Sequence, residues 1–136
     1  MNEIPSHLIF GETYSDFEKK KDNPTEFLPI SKELADELGV QVENCAFFPY
    51  SGETMKPTLN GKGIMLADLS DNKLQDGKIY LFSINSRLIV RRVQILLDKI
   101  ILIADNPKYQ NIEVFGEHLN NLKVIGRLRY IMQNFD

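Results

Sequence analysis

"SGETMKPTLNGKGIMLAD" (residues 51–68) is the stretch on which the reading of this chain turns. Here Gly52, Glu53, Thr54 and Met55 precede Pro57-Thr58-Leu59 and an apolar run, the pattern of a turn that presents Thr54 in front of a strand. A hydroxyl in such a place is either an activated nucleophile or the remnant of one, and a nucleophile needs a base beside it.

The surroundings are strand-like. From Cys45 onward come "CAFFPY", "GIMLAD", "KIYLFSI", "RLIVRRVQIL", "KIILIAD" and "KVIGRLRYIM", short runs rich in Ile, Val, Leu, Tyr and Phe. Turn material separates them, and Asn85-Ser86 and Leu97-Asp98 are short enough for hairpins without being the favoured Asn-Gly type. Upstream, "ISKELADELGV" carries Ser31 as N-cap, Leu34, Ala35 and Leu38 at helical spacing and Gly39 as a stop, which predicts a short helix over 31–38. Six or seven strands with one early helix predict a mainly antiparallel β domain over 27–136. Residues 1–26 read as a linker or N-terminal arm; "FEKKKDNPTE" is polar and offers little to a core.

Composition narrows the function. A net charge of −3 argues against a free-standing nucleic-acid binder, which would show a basic face. No apolar run is long enough to span a bilayer and no signal peptide is evident, so a cytoplasmic, membrane-free protein is expected. The single Cys45 excludes an internal disulfide. His7 and His118 have no partners at metal-ligand spacing, and "GKG" (61–63) lacks the rest of a phosphate loop, so no metal, cofactor or small-molecule ligand is expected. Tyr80, Phe82, Tyr130 and the pair Phe47-Phe48 fall in strand-like runs and read as core. With no histidine near Thr54 in sequence, the remaining way to activate it is a lysine kept neutral by burial.

Taken together, "SGETMKPTL", "DGKIYLFSI", "LIVRRVQ", "LIADNPKYQNIEV" and "VIGRLRYI" resemble the C-terminal domain of LexA-like and phage-repressor proteins, peptidase family S24. That pattern runs Gly-Asp-Ser-Met-x-Pro-Thr, then Gly-Asp before a strand, Asp-Gly-Asp-Ile, Val-Lys-Arg, an Asn-x-x-Tyr segment and a Gly-x-Val/Leu strand. The resemblance spans about residues 27–131 and implies a LexA/signal-peptidase-like β fold with a Ser-Lys dyad. The family serine falls on Thr54 and the lysine on Arg91, 37 residues later, as the family spacing requires. Gly52, Met55 and Pro57 keep the turn.

Both reactive positions depart from the pattern. The extra methyl of Thr54 stiffens χ1 and crowds approach to a carbonyl. Arg91 has no acceptor site and stays protonated, so it cannot serve as general base. Family members that cleave themselves cut at Ala-Gly or Cys-Gly; this chain has neither, and Phe10-Gly11 is the nearest equivalent. A salt bridge from Arg91 to Glu53 is one expected structural use of the new guanidinium.

The resemblance therefore implies a pseudoenzyme: a dimerising, regulatory domain of a repressor-like transcription regulator, of the kind found in prophage and SOS-response systems. It would form a homodimer or higher homo-oligomer, with "KVIGRLRYIM" as the dimer strand, and reach DNA only through a DNA-binding domain outside this chain. Two alternatives stay open: a self-cleaving peptidase using Thr54 with Lys56, Lys62 or Lys78 as base, and a UmuD-like accessory subunit of an error-prone polymerase.

Overall fold

The computed structural model of the protein describes residues 3–8, 14–22 and 26–133. Among them, nine strands form one sheet: β1 (Glu3–Leu8), β2 (Phe27–Ser31), β3 (Cys45–Gly52), β4 (Gly61–Asp68), β5 (Ile79–Ile84), β6 (Arg87–Ile95), β7 (Lys99–Ile103), β8 (Ile112–Phe115) and β9 (Leu122–Gln133). Their order is β2-β1-β3-β4-β9-β5-β6-β7-β8. Every neighbouring pair is antiparallel except β1 and β3. The mainly antiparallel β architecture and all six strand-like runs are thus as the sequence predicts.

Turn chemistry explains the hairpins. Asn85 and Ser86 both take positive φ, 49° and 68°, which suits a two-residue connection between twisted strands. The Leu96 amide donates to the Lys99 carbonyl at 2.9 Å and closes the turn at Leu97-Asp98. The predicted helix is α2 (Lys32–Leu38), capped by the Ser31 side chain on the Leu34 amide and ended by Gly39 at φ 73°.

Strand alternation sorts the core onto the two faces of the sheet. Phe48, Met65, Ala67 and Leu81 join Tyr50, Met55, Leu59, Val90 and Ile125 in one buried cluster beneath the Thr54 turn. Phe47 and Leu66, one residue out of step, instead pack with Ile30, Ala35 and Val40 around α2. Tyr80, Phe82, Val93, Leu102 and Val114 form a third cluster. Tyr130 does not belong to the core as its pattern suggested; it is exposed on β9.

The arm differs from its sequence reading. β1 pairs with both β2 and β3, and residues 14–22 form a further helix, α1 (Tyr14–Asp22), so α2 is not the one early helix. Phe17 of α1 is buried in the first cluster, with its ring 6.1 Å from that of Phe48. The Tyr14 amide donates to the Ser86 carbonyl at 2.9 Å, and Lys123 stands over the Tyr14 ring. The aromatic spacing Tyr14-x-x-Phe17 carried this signal, but the lysines around it hid it. A helix with a single apolar anchor still docks when that anchor fills a core position.

β9 holds the sheet together. Its first half, Leu122–Arg127, pairs with β5 and its second, Arg127–Gln133, with β4. Two glycines permit this. A Cβ on Gly63 would lie 2.4 Å from the Met132 carbonyl oxygen, and one on Gly126 would lie 2.5 Å from that of Asp68. Along Leu128–Gln133 the edge away from β4 carries no described strand.

Phe17→Ala is expected to cost about 3 kcal/mol in urea unfolding, the usual loss for emptying a buried phenyl site. Unchanged stability would return residues 14–22 to a free arm.

Candidate functional site

The turn between β3 and β4 is held from below and from the side. Met55 is fully buried and anchors it to the core, and its carbonyl accepts from the Leu59 amide at 2.9 Å. Lys56-Pro57 is a cis peptide, and the Asn60 side chain donates to the Pro57 carbonyl. From the side comes the segment after β7. The Asn106 amide donates to the Thr54 carbonyl at 3.0 Å, and its Nδ2 to the Glu53 carbonyl at 2.8 Å. Thr58 Oγ1 donates to Asp105 at 2.5 Å. Asp105 in turn takes a bidentate contact from Arg92, 2.9 and 2.7 Å, while Arg92 Nη1 donates to the Gly77 carbonyl. The turn that carries Thr54 is therefore fixed by two residues about 50 positions away.

Thr54 and Arg91 line the same groove, of about 980 Å3, together with Tyr50, Glu53, Lys62, Arg87 and an apolar floor that includes Phe48, Leu81 and Val90. The tertiary fold thus brings together the two positions matched to the family dyad. Among the described residues no hydrogen bond joins the Thr54 side chain to Arg91. The expected Arg91–Glu53 salt bridge is not formed: Arg91 Nη1 donates to the Gln110 carbonyl at 3.1 Å, and Glu53 pairs with Lys56 at 2.6 Å. The i,i+3 spacing lets Lys56 reach Glu53 without crossing the groove. Phe10 and Gly11 lie outside the described residues.

Burial lowers the Arg91 guanidinium below its ordinary value, with the nearby Tyr50 opposing the shift. It remains a cation without an acceptor nitrogen, so it offers Thr54 no proton acceptor. Cys45 is no substitute nucleophile: burial, helped by Asp68, pushes its thiol up to about 11.

Tyr50 is the residue that sequence reading did not single out. Only 8% of it is exposed, and its hydroxyl is buried with no hydrogen-bond partner among the described residues. Burial raises its pKa most; the Thr54 side chain, the Met55 amide and Arg91 pull it down, and Glu53 raises it. Its place in an apolar strand made it look like ordinary core. The Asp105 and Asn106 contacts were better marked, since "DNPKY" is one of the motifs that carried the resemblance.

A curled antiparallel sheet with a Gly-x-Thr-Met turn facing a basic strand position defines a class, and comparison agrees. The sequence pattern of the family described as Peptidase S24-like matches residues 11–129, and the chain belongs to that family. A relative from Haemophilus influenzae, named an uncharacterized HTH-type transcriptional regulator, is 41% identical over 104 residues. The match covers 76% of this chain but 44% of that protein, so the chain spans less than half the relative's length. Among the described residues, no helix is long and apolar enough to cross a membrane, and no cluster of His, Cys, Asp and Glu suits a metal ion.

Two measurements test this geometry. Asp105 is held below its ordinary 3.8, first by the Arg92 hydrogen bond, then by Thr58 and the Arg92 charge, against burial. A carboxylate depressed in the folded state stabilises above its unfolded pKa and loses that contribution as pH falls through its folded one. Stability should therefore decline as pH drops below 3.8, and Asp105→Asn should flatten that limb while costing about 2 kcal/mol at neutral pH. Tyr50→Phe should instead raise the unfolding free energy by about 1 kcal/mol, because it removes a buried hydroxyl that has no partner.

Proposed function

We propose that this chain is the dimerising, regulatory domain of a repressor-like transcription regulator and that it does not cleave itself. The observation that carries the second half is Arg91 in the groove that Thr54 lines. Proteolysis through Thr54 needs a group that takes its proton, and a guanidinium cannot. Losing either member of such a unit costs several orders of magnitude in rate, and the second loss adds little. The regulatory half is supported by the relative named as an HTH-type transcriptional regulator, which also favours it over a polymerase accessory subunit. DNA contact would belong to a helix-turn-helix segment of the whole protein.

Dimerisation is supported by β9. Its Leu128–Gln133 half has one edge without a described strand, and Tyr130 and Met132 are 37% and 41% exposed there. Unpaired backbone groups beside exposed apolar side chains are suited to pairing with a second copy about a two-fold axis. Lys62 lines the same groove as Thr54 and is the amine best placed to serve a surviving peptidase.

Purified protein kept at alkaline pH should remain one species by mass spectrometry. Two fragments that disappear in Thr54→Ala and Lys62→Met would establish the peptidase instead. In sedimentation equilibrium the protein should be dimeric, and Tyr130→Asp should weaken the dimer by about tenfold or more by placing an uncompensated charge in the strand pair. A dimer indifferent to Tyr130→Asp would place the interface elsewhere.

A further inference from the structure

We infer that the Thr54–Arg91 groove is a recognition site for an extended peptide bearing an acidic side chain, whose carboxylate is held by Arg91 and Thr54. Charge is the first argument. Arg91, Arg87 and Lys62 line the groove, and the lining acid, Glu53, is engaged by Lys56. Among the described residues no carboxylate lies within ion-pair distance of these three cations. The basic groove stands out in a chain of net charge −3.

The second argument is hydrogen-bond capacity. Arg91 is half-buried yet makes one hydrogen bond, to Gln110, out of five possible donors. A half-buried guanidinium with donors still open is suited to a carboxylate, which it can bind in fork geometry. Its neighbour Arg92 shows the alternative, with its donors spent on Asp105 and Gly77. Thr54 adds a hydroxyl to the lining of the same groove.

Shape selects the ligand class. Phe48, Leu81, Val90, Met65 and Ile64 give the same groove apolar lining besides its cations. A free inorganic anion would leave that floor uncovered, whereas a peptide with apolar residues flanking one acid covers both parts. The inference rests on charge and shape and does not depend on whether the domain has lost proteolysis.

The test uses the intact protein, fluorescently labelled, on arrays of degenerate pentapeptides with a fixed central Glu, Asp, Gln or Lys. Binding to the Glu or Asp arrays should exceed the Gln and Lys arrays by about tenfold, the scale of one charge-assisted pair. Arg91→Met should abolish the preference, and Thr54→Val should reduce it severalfold. Lys62→Met and Arg87→Met should chiefly flatten the salt dependence. Equal binding to Glu and Gln arrays, no binding above background on any array, or a preference that survives Arg91→Met would each overturn the proposal. So would inorganic phosphate that titrates the Arg91 side-chain NMR signal with no acidic-peptide preference, since that outcome assigns the site to a free anion.

Discussion

The contact on which the site depends is the lashing of the Thr54 turn to residues 105 and 106. Asn106 bonds the carbonyls of Glu53 and Thr54, and Asp105 bonds Thr58 while being gripped by Arg92. Turns are ordinarily the mobile part of a β domain, because their backbone groups face water and bury little apolar surface. Here the backbone of one turn is satisfied by a segment that follows β7, and the whole is tied through Arg92 to β6. The groove exists because β6 and the turn are locked at a fixed separation, and Met55 sets the depth of the turn from beneath.

Within that frame the residue at position 91 decides what the groove can do chemically. A lysine at position 91 could release its proton when desolvated; an arginine there keeps its charge and presents only donors. Burial acts on Arg91 in the same direction as it would on a lysine, but from an ordinary value far above that of an amine. The fold brings positions 54 and 91 to one groove, where an arginine presents donors only. What remains is a half-buried cation, a hydroxyl and an apolar floor, which are means of binding.

The charged residues of the groove stand apart from what holds the sheet together. Its stability rests on three buried clusters and on β9, which pairs with β5 along one half and β4 along the other. The groove residues Arg87, Lys62 and Glu53 contribute little to any of them. The helix α1 adds to the core through Phe17, so residues 14–22 are part of the folded unit despite their polar composition.

The strand runs, the helix capped by Ser31 and stopped by Gly39, and the hairpin at Asn85-Ser86 were legible in the sequence, because their signals are local: period, cap and turn chemistry within a few residues. The pairing of Thr54 with Arg91 was legible only through the order and spacing of motifs. The docking of α1, the Glu53–Lys56 pair that displaced the expected Arg91–Glu53 bridge, the exposure of Tyr130 and the unpartnered Tyr50 hydroxyl were decided by tertiary structure. Each depends on which side chain reaches a given point first in three dimensions. A periodicity records how residues alternate along a strand; it carries no record of what lies across the groove from them.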